Sequence, residues 1–405
     1  MNNAIPHESA SLHVSGEAQY IDDKLVNEQL LVGRVVYSPH AHAKIISFDI
    51  SEAKKINGVH AVLSYKDIPA HNQMGPVVKD ELCLAENEVV CVGQAIFLIA
   101  AETEEQCWEA EKKIKIEYEL LEPILTIENA MKKNSLLGAP MKIERGSRTT
   151  WQVVLHKIKG ELKTGAQEHW YLESQVCLCI PGEGNEINVF SGTQHPSETQ
   201  ALIAEVLGIG KNEVVVEVRR MGGAFGGKET QGNHVACWCA LLCNATKRPI
   251  KIRLFRDDDM KITGKRHRFL SKYEIGFDDE GKILAADIEL NCDGGCATDL
   301  SFAILQRAML HVDNAYFIPN IRVIGNAWKT NLPSNTAFRG FGGPQGMAVI
   351  EDIIDRVARY LKKDAAEIRF KNFYGLNERN TTHYGEVVEN NHLYIMYEQL
   401  KKSSD

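Results

Sequence analysis

The sequence has few of the features that direct a chain to a membrane, to secretion or to nucleic acid. Its apolar runs, such as residues 95–101, are far too short to cross a bilayer. The first eight residues contain neither a positive stretch nor an apolar core, so they do not predict a signal peptide. The formal net charge is −8 and no basic block stands out. We therefore expect a cytoplasmic protein with no membrane association and no nucleic-acid partner.

Cysteine pairs at the spacing of common metal sites are also missing. The ten cysteines include no C-x-x-C pair, and the densest groups are Cys237, Cys239 and Cys243, and Cys292 and Cys296. These spacings match neither a zinc site nor a plant-type iron–sulfur centre. Without a secretion signal the cysteines are expected to be reduced thiols. Because the first group lies on an apolar helical pattern, we interpret its members as small core residues.

The length of 405 residues suggests two or three domains. Residues 11–125 predict an α/β unit, because strand-like apolar runs alternate there with short capped helical patterns. Residues 126–157 are rich in Lys, Asn, Ser and Gly and predict a surface connector. A second α/β unit begins near residue 158. In that unit Asp257–Asp259 lack the spacing of a calcium loop and predict a solvated turn.

A glycine-rich stretch, residues 219–229, is the most informative part of the chain. The β-branched run 214–218 precedes it, and a helical apolar pattern over residues 235–242 follows it. A strand that delivers a glycine loop to the start of a helix favours anion binding, because backbone N–H groups and the helix dipole point at the ligand. A tight turn with no ligand is the alternative.

The nature of the anion is constrained by Glu229. Gly222-x-x-x-x-Gly227-Lys228 nearly matches the phosphate loop of nucleotide hydrolases, but Glu229 stands where a Ser or Thr would hold magnesium. A nucleotide-binding hydrolase is therefore a disfavoured alternative. A second glycine-rich loop, residues 330–344, also precedes a helical pattern, with Pro344 suited to the first turn. Two loops of this kind suggest one site built from both.

Several long motifs resemble the molybdenum-binding chain of the xanthine dehydrogenase/aldehyde oxidase family. They are Gly165–Glu173, Met221–Glu229, Gln306–His311 and Thr330–Gln345. Residues 11–125 are similar to the family's hammerhead domain through residues 38–43, 67–69 and 92–94. The resemblance implies an α+β fold: an N-terminal α/β hammerhead domain over residues 1–125, a connector over 126–157, and the first molybdopterin-binding domain over 158–405, with the second such domain absent.

The resemblance also implies an activity and its cofactors. The implied function is molybdopterin-dependent hydroxylation of a purine, hypoxanthine or xanthine to urate, with an aldehyde or N-heterocycle hydroxylase as the alternative within the family. The cofactor is molybdenum-molybdopterin, and the added nucleotide of a dinucleotide form stays open. Electrons would leave through [2Fe-2S] centres to FAD, which are expected on partner chains. This chain would therefore be one subunit of a heteromeric complex.

Individual site residues follow from the matching motif positions. Gln167 and the backbone N–H groups of Phe225 and Gly226 would donate to oxygen ligands of the molybdenum, and Phe338 and Arg339 would lie against the cofactor. Gln167, Phe225 and Arg339 would thus contact ligands of the metal, not the metal itself. Phe341 would offer its ring face to a flat heteroaromatic substrate.

Glu229 and Arg307 would select the substrate class. The resemblance places Glu and Arg at these positions in the purine-oxidising members, and a purine edge presents N–H donors and carbonyl acceptors that a carboxylate and a guanidinium recognise. Arg307 would also stabilise negative charge that develops on the ring. The alternative is a salt bridge between Glu229 and Arg307.

The resemblance stops at the last segment, Glu398–Asp405. In the family the chain continues and carries the glutamate base, and no glutamate here lies in a matching motif. No catalytic residue is therefore assigned to this chain. We expect either a second polypeptide with the remaining molybdopterin-binding domain, or a C-terminally truncated chain with half a site and no turnover alone. A non-catalytic partner that assembles but does no chemistry is a further alternative.

Overall fold

The computed structural model describes residues 5–26 and 29–404, and the chain divides into two compact units. The first unit comprises Met1–Pro123, Glu168–Gly264 and Asn331–Thr336. The second unit comprises Ile124–Gln167, Lys265–Thr330 and Ala337–Asp405. Each unit is thus assembled from three separate stretches of chain. The domain boundaries expected from the sequence, near residues 125 and 157, stay predictions.

The described chain contains both strands and helices. The strands are β1 Leu31–Tyr37, β2 Ala43–Asp49, β3 Val59–Leu63, β4 Glu88–Val89, β5 Ala95–Ala101, β6 Lys115–Leu120, β7 Met141–Arg145, β8 His156–Thr164, β9 Val176–Pro181, β10 Ile187–Ser191, β11 Val214–Glu217, β12 Ile250–Arg253, β13 Phe269–Phe277, β14 Ile283–Gly295 and β15 Asn320–Lys329. The helices are α1 Ala10–Ser15, α2 Glu104–Lys113, α3 Ile127–Lys132, α4 Pro196–Leu207, α5 Gly232–Thr246, α6 Arg256–Ile262, α7 Ser301–Leu310, α8 Gly343–Leu361, α9 Ala365–Asn372 and α10 Leu393–Ser403. None of the helices in the described ranges has the length and apolarity needed to span a membrane.

A seven-stranded mixed sheet, in the order β11-β10-β9-β12-β1-β5-β3, forms the centre of the first unit. Its two halves meet where β1 pairs in parallel with β12, with Leu31 opposite Ile250. The strands of the predicted N-terminal domain and those of the following region therefore share one sheet. A smaller sheet, in the order β4-β2-β6, completes the N-terminal part.

Helix α5 packs against this sheet and follows the glycine loop. Its sequence is apolar on nearly all sides, so most of its residues are buried, which is expected of a helix inside a core. The interpretation of Cys237, Cys239 and Cys243 as core residues is confirmed, since all three are buried on α5. The helix predicted over residues 235–242 is confirmed as well.

The second unit contains a five-stranded sheet, in the order β7-β15-β14-β13-β8, with α7 and α8 packed together beside it. Helix α8 places Ile350, Ile354 and Val357 in the core, as its apolar spacing predicts. Pro344 lies in its first turn, as predicted.

Two local interpretations differ from the structure. The solvated turn predicted at Asp257–Asp259 is wrong, because these residues form the first turn of α6 and Asp259 is buried. Asp259 accepts hydrogen bonds from the Tyr171 hydroxyl at 2.7 Å and the Gln175 amide at 2.9 Å, which satisfy its carboxylate inside the fold. The segment predicted as a connector contains α3 and β7, an edge strand whose five residues are too few for a clear periodicity.

Candidate functional site

The glycine loop in the first unit connects β11 to α5 and holds backbone conformations that side chains rarely adopt. Gly223, Phe225 and Gly226 all have positive φ, at +95°, +55° and +100°. At Phe225, which is not a glycine, such a conformation is uncommon and typical of functional loops. Its side chain is 46% exposed. The loop therefore presents an aromatic residue and the amides beside it at the surface of the first unit.

The segment Glu168–Glu173 lies under the glycine loop. A Cβ at Gly227 would stand 2.7 Å from the His169 ring and 2.7 Å from the Tyr171 ring, so only glycine allows this approach. A Cβ at Gly222 would meet the Glu173 side chain at 2.5 Å. Two motifs far apart in sequence thus form one packed layer.

A buried ion pair fixes both ends of the loop. Lys228 Nζ lies 2.9 Å from Glu173 Oε2, and the Lys228 side chain is completely buried. The same carboxylate oxygen accepts the Gly222 amide at 2.9 Å. Lys228 Nζ also lies 5.0 Å from the centre of the Tyr171 ring. The nucleotide-hydrolase alternative is wrong, because Lys228 points into the protein and does not reach a phosphate above the loop.

Gln194 also binds the loop, and one of its partners is the Gly226 amide, which was predicted to contact the cofactor. Its side-chain Oε1 accepts a hydrogen bond from the Gly226 backbone N–H at 2.9 Å, and its backbone N–H donates to the Lys228 carbonyl at 2.8 Å. The predicted donation from Gly226 to a cofactor oxygen therefore requires this exposed carboxamide to move aside, and it stays a prediction. Within the described ranges, the Phe225 amide has no hydrogen-bond acceptor.

Glu229 lies at the end of the loop and is half-buried. Its amide donates to the Gly226 carbonyl at 3.1 Å. Burial raises the pKa of the Glu229 carboxyl above its usual range, His195 acts to lower it, and Glu198 raises it further. The carboxyl thus holds its proton more firmly than an ordinary glutamate.

In the second unit, Arg266 joins three of the predicted site residues. Its Nε donates to Gln167 Oε1 at 2.5 Å, and its Nη2 donates to the Arg339 carbonyl at 2.9 Å. Its guanidinium lies 3.9 Å from the centre of the Phe338 ring. A guanidinium only donates hydrogen bonds, so it holds the Gln167 oxygen toward itself and directs the Nε2 donor away. Gln167 is therefore oriented as a donor, as its predicted role requires.

One nitrogen of Arg266 has no partner. Among the described residues, the buried Nη1 makes no hydrogen bond. Burial lowers the pKa of Arg266, and an unpaired guanidinium nitrogen in such a place is costly. An anionic ligand beside Gln167 and Phe338 would satisfy it once the groups that cover Nη1 move aside. The residues present therefore fit an anionic, oxygen-rich cofactor.

In the second unit, close packing of Gly342 against α7 brings the backbone at Phe341 near the turn that carries Arg307. Gly342 has φ +96°, and a Cβ there would stand 2.0 Å from the Ile304 carbonyl oxygen of α7. The Phe341–Gly342 peptide thus lies against the turn of α7 that carries Arg307. Phe341 itself has φ +48°, and the Arg307 side chain is exposed.

The predicted site residues fall in both units. Phe225, Gly226 and Glu229 belong to the first, and the second contains Gln167, Arg307, Phe338, Arg339 and Phe341. The salt bridge between Glu229 and Arg307, considered as an alternative, would join the two units and stays a prediction.

Sequence reasoning missed two residues that the structure ties to the site, Gln194 and Arg266. The signal for Arg266 was the short basic run 265–268, directly after Gly264 and just before β13. Gln194 precedes the start of α4 and carried no comparable signal.

Two family models match the chain. One is described as a molybdopterin cofactor-binding domain and matches residues 130–373. The other is described as the a/b hammerhead domain of aldehyde oxidase and xanthine dehydrogenase and matches residues 15–122. Together they confirm the predicted α+β fold, in which a hammerhead domain precedes a molybdopterin-binding domain.

Known proteins align over nearly the whole chain. It is 44% identical to the xanthine dehydrogenase of Dictyostelium discoideum over 99% of this chain and 29% of that protein. It is 45% identical to the xanthine dehydrogenase/oxidase of Mus musculus over 95% of this chain and 29% of that protein. The chain thus spans less than a third of the length of these relatives. The aldehyde oxidoreductase of Desulfovibrio gigas superimposes with a TM-score of 0.91 at 26% identity, over 98% of this chain and 46% of that chain.

Proposed function

Because the chain belongs to the molybdopterin-binding family of aldehyde oxidases and xanthine dehydrogenases, we propose that it contributes the purine pocket and part of the molybdopterin site of a xanthine dehydrogenase-type hydroxylase. The proposed cofactor site rests on Arg266. Its guanidinium orients Gln167 as a donor, and its buried Nη1 has no hydrogen-bond partner among the described residues. The proposed purine recognition rests on the half-buried carboxyl of Glu229.

The chain's own residues would bind and orient the cofactor. Gln167 donates through Nε2, Phe225 through its backbone amide and Arg266 through Nη1, all toward anionic oxygens. Phe338, held by Arg266, and Arg339 lie against the cofactor. When bound, molybdenum-molybdopterin supplies the two-electron redox chemistry.

The substrate pocket would recognise a purine by its edges and its face. The Glu229 carboxyl accepts an N–H of the ring when charged and donates when protonated, and burial raises its pKa. Arg307 donates to a carbonyl oxygen and stabilises negative charge that develops on the ring. Phe341 stacks on the ring, worth about 0.5–1.5 kcal/mol.

The glutamate base, the [2Fe-2S] centres and FAD would come from other chains or domains. Large apolar side chains on the site segments of the first unit support such an assembly, since Trp170 is 67% exposed and Leu172 is 92% exposed. A polypeptide with the second molybdopterin-binding domain would cover them. A cytoplasmic location completes the proposal.

Replacing Glu229 by valine tests the substrate assignment in the assembled enzyme. Loss of a charged hydrogen bond in a half-buried pocket costs about 1.5–3 kcal/mol, so kcat/KM for xanthine should fall by about 10- to 150-fold. Turnover of a simple aldehyde, which makes no such bond, should change far less.

The matched control is Glu217→Val, at an exposed glutamate on β11. This variant should keep both activities. Equal losses for xanthine and aldehyde in Glu229→Val would count against purine recognition by Glu229. Weak xanthine turnover beside strong aldehyde turnover by the wild-type enzyme would favour the aldehyde hydroxylase alternative.

A further inference from the structure

Three buried thiols meet in the core of the first unit, away from the residues assigned to the cofactor. Cys177 and Cys179 lie on β9, and Cys239 lies on α5, which packs against that strand. Residues two apart on a strand face the same side, so both strand thiols face the helix. The three Sγ atoms lie within 4.8 Å of one another, and those of Cys177 and Cys179 are 3.8 Å apart. All three residues are 0% exposed.

The group offers three sulfur ligands and no fourth. Within the described ranges no histidine or carboxylate adds a ligand atom to it, and complete burial keeps water out. Structural zinc sites take four ligands, which this group does not supply. Three thiolates would also leave a divalent ion with a net negative charge, and copper(I) with a larger one. A net charge without a partner is costly in an apolar core.

A trivalent, three-coordinate centre matches both the ligand number and the charge. We propose that Cys177, Cys179 and Cys239 form a binding site for arsenic(III), taken up as arsenous acid. Three S–H and three As–O bonds break, and three As–S and three O–H bonds form. One arsenous acid and three thiols thus give a neutral arsenic trithiolate and three waters. Arsenic stays trivalent, so no oxidant or reductant is needed.

The position of the thiols fits this exchange, because all three sulfur atoms lie at the contact between α5 and β9. The Cys239 thiol donates to the Ile250 carbonyl at 3.1 Å, which holds its sulfur at the interface of helix and strand. Because the group is closed to solvent, uptake follows transient opening of α5 from the sheet and is slow.

Native mass spectrometry of the full chain after incubation with sodium arsenite tests the site. The reduced wild-type chain should gain the mass of one arsenic less three hydrogens. Cys239→Ala should lose this adduct completely. Cys243→Ala, on the same helix one turn farther along and outside the group, should keep it.

Arsenic X-ray absorption of the wild-type chain gives a test that needs no variant. Three sulfur neighbours around arsenic are expected. The proposal is overturned if wild-type chain takes up no arsenic, if the arsenic has fewer than three sulfur neighbours, or if folded Cys239→Ala binds it as well as wild type. Tighter binding of cadmium(II) than arsenite to the same thiols would also overturn it, because the argument from charge would fail.

Discussion

Glu173→Gln is expected to destabilise the first unit by about 3–5 kcal/mol, the usual cost of leaving one member of a buried ion pair without its partner. Lys228 is completely buried and Glu173 is 15% exposed, so water does not replace the lost charge. Burial lowers the pKa of Lys228 while Glu173 raises it, so the site disfavours this cation without its partner. Glutamine keeps an oxygen for the Gly222 amide, so the change isolates the effect of charge.

The measurement is the free energy of unfolding from urea titration, followed by a probe in the first unit. Glu205→Gln is the matched control, because its pair with Lys79 at 2.7 Å is on the surface and should be worth less than about 1 kcal/mol. Adding Lys228→Met to Glu173→Gln removes both charges and should recover most of the loss. A Glu173→Gln loss no larger than that of Glu205→Gln would refute the role given to this pair.

Gly342→Ala is expected to cost about 2–6 kcal/mol of stability in the second unit. A left-handed backbone at φ +96° is strained for alanine, at about 1–3 kcal/mol. The new Cβ would also stand 2.0 Å from the Ile304 carbonyl oxygen, and overpacking of this kind adds about 1–3 kcal/mol. Because the Cβ position is fixed by the backbone of residue 342 and the oxygen belongs to the Ile304 backbone, no change of rotamer relieves the clash. Hydrogen exchange in α7 and α8 should therefore rise sharply.

The neighbouring glycine is the control for this effect. A Cβ at Gly343 would meet nothing closer than 3.7 Å, at the His311 ring, and Gly343 begins α8. Gly343→Ala should leave stability unchanged or raise it slightly, since alanine favours helix by up to about 1 kcal/mol. Similar exchange rates in the two variants would mean that the contact between Gly342 and α7 does not position the second loop.

The local elements and the motifs were predictable from the sequence because their signals are local. The glycine loop before α5, Pro344 in the first turn of α8 and the core cysteines of α5 each follow from spacing within a few residues. The fold class followed from long motifs in register. The burial of Asp259 could not be predicted, because three adjacent carboxylates are typical of a solvated turn. Its partner, Tyr171, is far away in sequence.

Contacts between residues far apart in the chain could not be predicted from the sequence. Nothing local marks β1 as the neighbour of β12, although their parallel pairing joins the N-terminal strands to the rest of the sheet. Arg266 stood in a short basic run typical of a solvated surface, and only the fold brings it to Gln167 and Phe338. The trithiol group likewise combines a strand and a helix about 60 residues apart, whereas spacing grouped Cys239 with its helical neighbours.

The most direct test of the proposed cofactor site is the molybdenum and pterin content of the assembled protein, for wild type and Arg266→Met. Arg356→Met, which removes a partly exposed arginine paired with Asp352 on α8, is the control. Wild type and the control should contain molybdenum and pterin in proportion to the chain, whereas Arg266→Met should lose most of both while staying folded. Full occupancy in folded Arg266→Met, or no molybdenum in correctly assembled wild type, would contradict the account.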